Sequence, residues 1–126
     1  MKLTRRAFED LVERALARLP RKFREKIENI AVVVEEWADA ETLAEMGIEP
    51  PDTLYGLYRG TALPRRDSSY GAVLPDVIAI YQGPIQEDCR TLEEMEVLVR
   101  DTVVHEIAHY FGLDDDRLEE IEQGQD

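Results

Sequence analysis

A chain of 126 residues with 44% hydrophobic residues has the size of one domain and the composition of a globular one, which excludes a disordered polymer. Its formal net charge of −13 repels phosphate backbones and excludes nucleic acid as a natural partner. A single cysteine, Cys89, allows no intrachain disulfide, no apolar run reaches the length of a membrane span and no secretory leader is visible, so the expectation is a cytoplasmic protein without membrane contact.

The first segment places Leu3, Phe8, Leu11, Val12, Ala15, Leu16 and Leu19 at helical spacing, which predicts an amphipathic helix ended by Pro20. A short second helix is expected between Pro20 and Asn29, with Phe23 and Ile27 on its inner face. The β-branched run in IAVVVEEW, Ile30 to Trp37, predicts a buried strand. Ala40 to Met46 reads as a helical turn stopped by Gly47, and Pro50-Pro51 imposes an extended or turn conformation. Leu54 to Tyr58 is a second strand candidate, stopped by Gly60. PRRDSSYG, residues 64–71, is a polar loop, and VIAIY, Val77 to Tyr81, is a third strand followed by Gly83-Pro84.

Thr91 and Glu94 form a T-x-x-E capping box at the start of the next helix. Apolar residues then fall on nearly every side of it, from Leu92 through Val103 and Val104 to Phe111, which predicts a buried helix. Gly112 is its expected C-terminal stop. A short terminal helix is expected over Asp114 to Ile121. The order of elements describes a single α+β domain over residues 1–126, with helices packed on a three- or four-stranded sheet.

That buried helix carries the chemistry. His105-Glu106-Ile107-Ala108-His109 is an H-E-x-x-H motif. Residues four apart lie one turn apart on one helix face, so two imidazoles there can grip one tetrahedral ion, with Nε2 the expected donor on each ring. Glu106, beside the first ligand, reaches a water on that ion rather than the ion itself. Zinc lowers the pKa of such a water toward ~7, and the glutamate accepts its proton as general base. Both histidines of the chain lie in the motif. The pattern extends to H-E-x-x-H-x-x-G-x-x-D: Gly112 can turn the chain back and bring Asp115 to the metal as third ligand. Asp114, Asp115 and Asp116 are consecutive short carboxylates. Spacing favours Asp115 as the ligand and leaves Asp114 as the cap of the terminal helix.

Three segments carry a family resemblance: LYGLYRG (54–60), GAVLPDVIAIYQGPI (71–85) and VVHEIAHYFGLDDDRL (103–118). They resemble the minimal zincins, short bacterial zinc metallopeptidases. The resemblance implies a compact zincin-like fold, a small mixed sheet beside a buried active-site helix, and an N-terminal helix packed on them. It also implies that an edge strand holds a peptide or protein substrate by β-augmentation. The extended motif is similar to that of metzincins as well, but those enzymes carry a methionine turn after the motif, and the last methionine here is Met95. The expected function is a zinc-dependent peptidase. The alternative is a zinc-binding protein without turnover that acts as a partner- or peptide-binding module. Glu106 separates the two, because a pure binding site needs no base beside its water.

Other residues read more simply. Cys89 has no neighbouring His and is no catalytic thiol. Tyr55, Tyr58, Tyr70, Tyr81 and Tyr110 are potential donors to a tetrahedral intermediate but are expected to pack against the sheet or helix. Arg65-Arg66 reads as an exposed loop pair, Trp37 as core or rim packing, and Gly56, Gly60 and Gly71 as turn or bulge glycines.

Overall fold

The structure is a computed structural model that describes residues 2–60 and 76–112. Within them the element order is α1 (Arg5–Ala17), α2 (Arg21–Ile27), β1 (Ile30–Glu35), α3 (Ala40–Glu45), β2 (Gly56–Arg59), β3 (Asp76–Tyr81), α4 (Gln82–Asp88) and α5 (Leu92–Tyr110). Every helix and strand expected in this part of the chain is present. The expected terminal helix, Gly71 and the Arg65-Arg66 loop lie outside the described residues.

Local chemistry explains where the helices begin. Thr4 caps α1 by accepting from the Ala7 amide at 3.1 Å, and Asp39 caps α3 by accepting from the Thr42 amide at 2.7 Å. That bond is the main reason the Asp39 carboxyl titrates below its ordinary range. The capping box of α5 forms with one change of partner. Thr91 Oγ1 accepts from the Glu94 amide at 3.0 Å, and the Glu94 carboxylate reaches back to the Arg90 amide, at 2.8 Å, rather than to that of Thr91. Gly47 and Gly112 follow α3 and α5 with φ of 72° and 71°, the left-handed conformation that ends a helix and that glycine adopts without strain.

The three strands form one mixed sheet in the order β1-β3-β2. β1 runs parallel to the central strand β3, with Val32 opposite Ile78, and β2 runs antiparallel to it, with Tyr58 opposite Ile78 on the other side. Among the described residues β2 is therefore an edge of the sheet. The core lies between α1, α5 and the sheet: Phe8, Leu11 and Ala15 of α1 meet Met95, Val99, Val103 and Ile107 of α5 and Ile78 and Ile80 of β3. Each of these side chains is fully buried. Burial of this kind is worth about 1.5–3 kcal/mol per large apolar side chain, and it fixes α5 firmly along one side.

Two expectations need correction. α5 is not buried all round. Its buried residues are Met95, Val99, Val103, Val104, Ile107 and Ala108, while Val97, His105 and His109 are exposed, so one side is open to solvent. The second correction is α4, which Gly83-Pro84 hid. Gln82 is its first residue, so Pro84 falls in the first turn, where a missing N–H has no intrahelical acceptor to lose. Gln82 and Gln86 are both buried and clasp the main chain of Leu3. The Gln82 Nε2 donates to the Leu3 carbonyl, and the Leu3 amide donates to Gln86 Oε1, each at 2.9 Å. Burial also pushes the Cys89 thiol above its ordinary pKa, which removes it further from nucleophilic use.

Candidate metal centre and cleft

The open face of α5 presents Leu98, Asp101, Thr102, His105, Glu106 and His109, at i, i+3, i+4, i+7, i+8 and i+11. That series is one continuous helical stripe. His105 and His109 are exposed on it and Glu106 is half-buried. The structure thus brings together three of the four residues singled out from the sequence. Asp115, with its neighbours Asp114 and Asp116, lies outside the described residues. Among the described residues no group of three or more His, Cys, Asp or Glu side chains is placed to hold a metal. The described part of the centre is the imidazole pair.

The donor chemistry of that pair suits zinc. His105 Nδ1 lies 2.8 Å from the main-chain oxygen of Asp101, one turn back. A carbonyl oxygen only accepts, so Nδ1 carries the proton and the neutral ring keeps its lone pair on Nε2. An outer hydrogen bond of this kind orients a ligating imidazole and fixes its tautomer.

Glu106 is held by the sheet. Its Oε1 accepts from the main-chain amide of Tyr58, in edge strand β2, at 2.9 Å. Tyr81 N donates to Tyr55 O across β2 and β3. With Tyr55 in a hydrogen-bonded pair, the alternation of an antiparallel ladder points the Tyr58 amide away from β3. Glu106 takes up a donor that an edge strand otherwise leaves unpaired. One carboxylate oxygen is fixed and the other remains for the cleft.

The cleft lies between this helix face and the start of β2. It has a volume of about 380 Å³ and is walled by Thr53, Leu54, Tyr55 and Gly56 on one side and by Leu98, Thr102, His105 and Glu106 on the other. Gly56 sets how closely the walls approach. A Cβ there would lie 2.7 Å from Thr102 Cγ2 and 2.9 Å from the Ala79 carbonyl oxygen, so any larger residue must move the strand or the helix. Gly56→Ala is expected to destabilise the protein by about 1–3 kcal/mol, as overpacking does, and to weaken the Tyr58–Glu106 bond. Chemical denaturation reads the first effect, and an unchanged midpoint would show that the walls yield.

Sequence reasoning missed Tyr58 N, Gly56, Leu98 and Thr102. A main-chain amide leaves no mark in residue type. Gly56 carries a signal, but residue type alone does not separate a turn or bulge glycine from a close approach of two elements. A Cβ on Gly60 would lie 2.6 Å from the Tyr110 hydroxyl, the end of an exposed side chain that can move aside. The tyrosines within the described residues have packing or structural roles. Tyr58 stacks on Tyr110 with centroids 4.0 Å apart, and its hydroxyl donates to Asp76 at 2.6 Å. Burial, followed by that bond, pushes its pKa well up. The Tyr55 hydroxyl donates to the Asp88 carboxylate, which raises its pKa to about 12. Tyr81 is buried. Tyr70 lies outside the described residues.

The chain is similar to a conserved hypothetical protein from Thermo thermophilus, at 25% identity, with a TM-score of 0.54 over 86% of this chain and 94% of that one. No curated protein matches it. No helix among the described residues is long and apolar enough to cross a membrane. A family profile described as zincin-like metallopeptidase matches residues 27–125, which take in β1 to α5, the Glu106–Tyr58 contact and the whole H-E-x-x-H-x-x-G-x-x-D pattern, and the chain belongs to that family.

Proposed function

We propose that the protein is a zinc-dependent peptidase, with His105, His109 and Asp115 as metal ligands and Glu106 as general base. The observation that carries this reading is the arrangement of one cleft. It sets His105 and Glu106, one helical turn from His109, against Thr53 to Gly56, which lead into β2, and the contact of His105 Nδ1 with Asp101 O leaves Nε2 for a metal. Zinc, when bound, supplies Lewis acidity that polarises a carbonyl and acidifies water.

The chain's own residues do the rest. Asp101 O keeps the His105 ring turned outward. Tyr58 N holds Glu106 Oε1, so that Oε2 takes the proton from the attacking water and returns it to the leaving amine. Apart from the Tyr58 amide, which Glu106 occupies, the outer edge of β2 keeps main-chain groups for an extended substrate, which adds to the sheet as a further strand. The core packing under α5 keeps these groups at fixed separations, which catalysis by positioning requires.

Asp115 is assigned as third ligand by its place in G-x-x-D. Asp115→Ala is expected to weaken zinc binding far more than Asp114→Ala or Asp116→Ala, as read by competition with a chromogenic chelator. Wild-type affinity in Asp115→Ala would remove it from the ligand set. The peptidase reading itself is tested by hydrolysis of a peptide library. Stoichiometric zinc binding without cleavage of any peptide would favour the binding-module alternative.

A further inference from the structure

Helix α5 grips one residue of β2 twice. Glu106 Oε1 accepts from the Tyr58 amide at 2.9 Å. One turn further along the same helix face, the Tyr110 ring stacks on the Tyr58 ring, with centroids 4.0 Å apart and planes 20° from parallel. Further contacts fix both rings. Tyr58 Oη donates to Asp76, at the start of β3, at 2.6 Å. Phe111 stands nearly perpendicular to both rings, with centroids 6.2 Å and 5.2 Å away. Gly60 carries no side chain to crowd the far end of the Tyr110 ring, where a Cβ would lie 3.0 Å from Cε1.

Core burial does not account for Tyr110. The residue is 50% exposed, and its stacking partner is the residue whose amide holds Glu106. That amide points away from β3, so the ladder with β3 does not engage it. Its reach to Glu106 depends on how closely β2 sits against α5. β2 has four residues and is an edge of the sheet among the described residues. A stacked ring pair that bridges α5 and β2, one turn from Glu106, sets that separation directly.

We infer that Tyr110 is a positioning residue for Glu106. Its stack on Tyr58 keeps the Tyr58 amide on the Glu106 carboxylate, and without the ring that carboxylate is free to turn. Tyr110 acts through Tyr58 rather than on the substrate. The consequence for turnover rests on the peptidase reading, but the hold on Glu106 can be measured without it.

The test compares wild type, Tyr110→Ala and Tyr110→Phe, each loaded with one equivalent of zinc. Tyr110 is exposed and alanine is the best helix former, so the fold should survive both changes. Amide hydrogen exchange is followed residue by residue by NMR. In Tyr110→Ala the Tyr58 amide is expected to exchange about tenfold faster, the scale of one aromatic pair. The Leu57 and Arg59 amides, which face β3, should keep their wild-type rates. Tyr110→Phe retains the ring and should restore the protection. On a cleaved peptide, Tyr110→Ala should lower kcat by about 10- to 100-fold with KM within about twofold of wild type, as expected when only positioning is lost, and Tyr110→Phe should recover it. An unprotected Tyr58 amide in the wild type, or unchanged protection in Tyr110→Ala, overturns the inference. So does equal loss at Leu57 and Arg59, which would make the ring a prop for the strand alone. Failure of Tyr110→Phe to rescue, or a raised KM with kcat intact, also overturns it. A wild type that cleaves nothing would overturn the peptidase reading, and the exchange rates would then decide the hold on Glu106 by themselves.

Discussion

His105→Ala is expected to abolish stoichiometric zinc binding. A catalytic zinc site holds its ion with three protein ligands, and two of the three proposed here, His105 and His109, lie on one stripe of α5. Without His105 the proposed set falls to one imidazole and one carboxylate. The substitution also removes the ring that the Asp101 carbonyl orients. The fold should survive it, because His105 is exposed and alanine is the best helix former. Metal analysis after dialysis should therefore find one equivalent in the wild type and a small fraction of one in the variant, with unchanged helical circular dichroism. A full, tightly held equivalent in His105→Ala would place the site elsewhere.

Glu106→Gln is expected to keep the zinc and lose about 10²–10⁴ in hydrolytic rate, the usual cost of removing a general base. The amide is the same size, and its oxygen can still accept from the Tyr58 amide, so the cleft keeps its shape. What is lost is basicity at the free oxygen. Equal turnover by variant and wild type would eliminate the proposed role. A variant that lost zinc as well would show that Glu106 serves the metal directly.

The helix that carries the candidate residues was largely legible in the sequence because its ends are well signalled. Thr91 and Glu94 announced the start of α5, Gly112 its end, and the spacing of His105 and His109 put both on one face. What could not be read was which face of α5 would be open. Val97 and Leu92 made the helix look apolar all round, and only the packing of Phe8, Leu11 and Ala15 against Met95, Val99 and Val103 selects the buried stripe. Strand β2 was located, but two residues early. Leu54 and Tyr55 precede the strand and wall the cleft. The tie between Glu106 and Tyr58 depends on the register of an edge strand 48 residues away in the chain, which no short-range pattern encodes. Helix α4 was hidden by Gly83-Pro84, which resemble a turn when the preceding residue is not known to be helical.

The proposal of zinc-dependent hydrolysis rests on the zincin-like family, the imidazole pair and the Glu106 carboxylate held by β2, and one titration tests it directly. Zinc is added stepwise to metal-free protein while cleavage of a peptide library is followed by mass spectrometry. The rate is expected to climb up to one equivalent of zinc and then level off, with Glu106→Gln flat throughout. Hydrolysis that persists without zinc, or that is absent at every stoichiometry, would contradict the account.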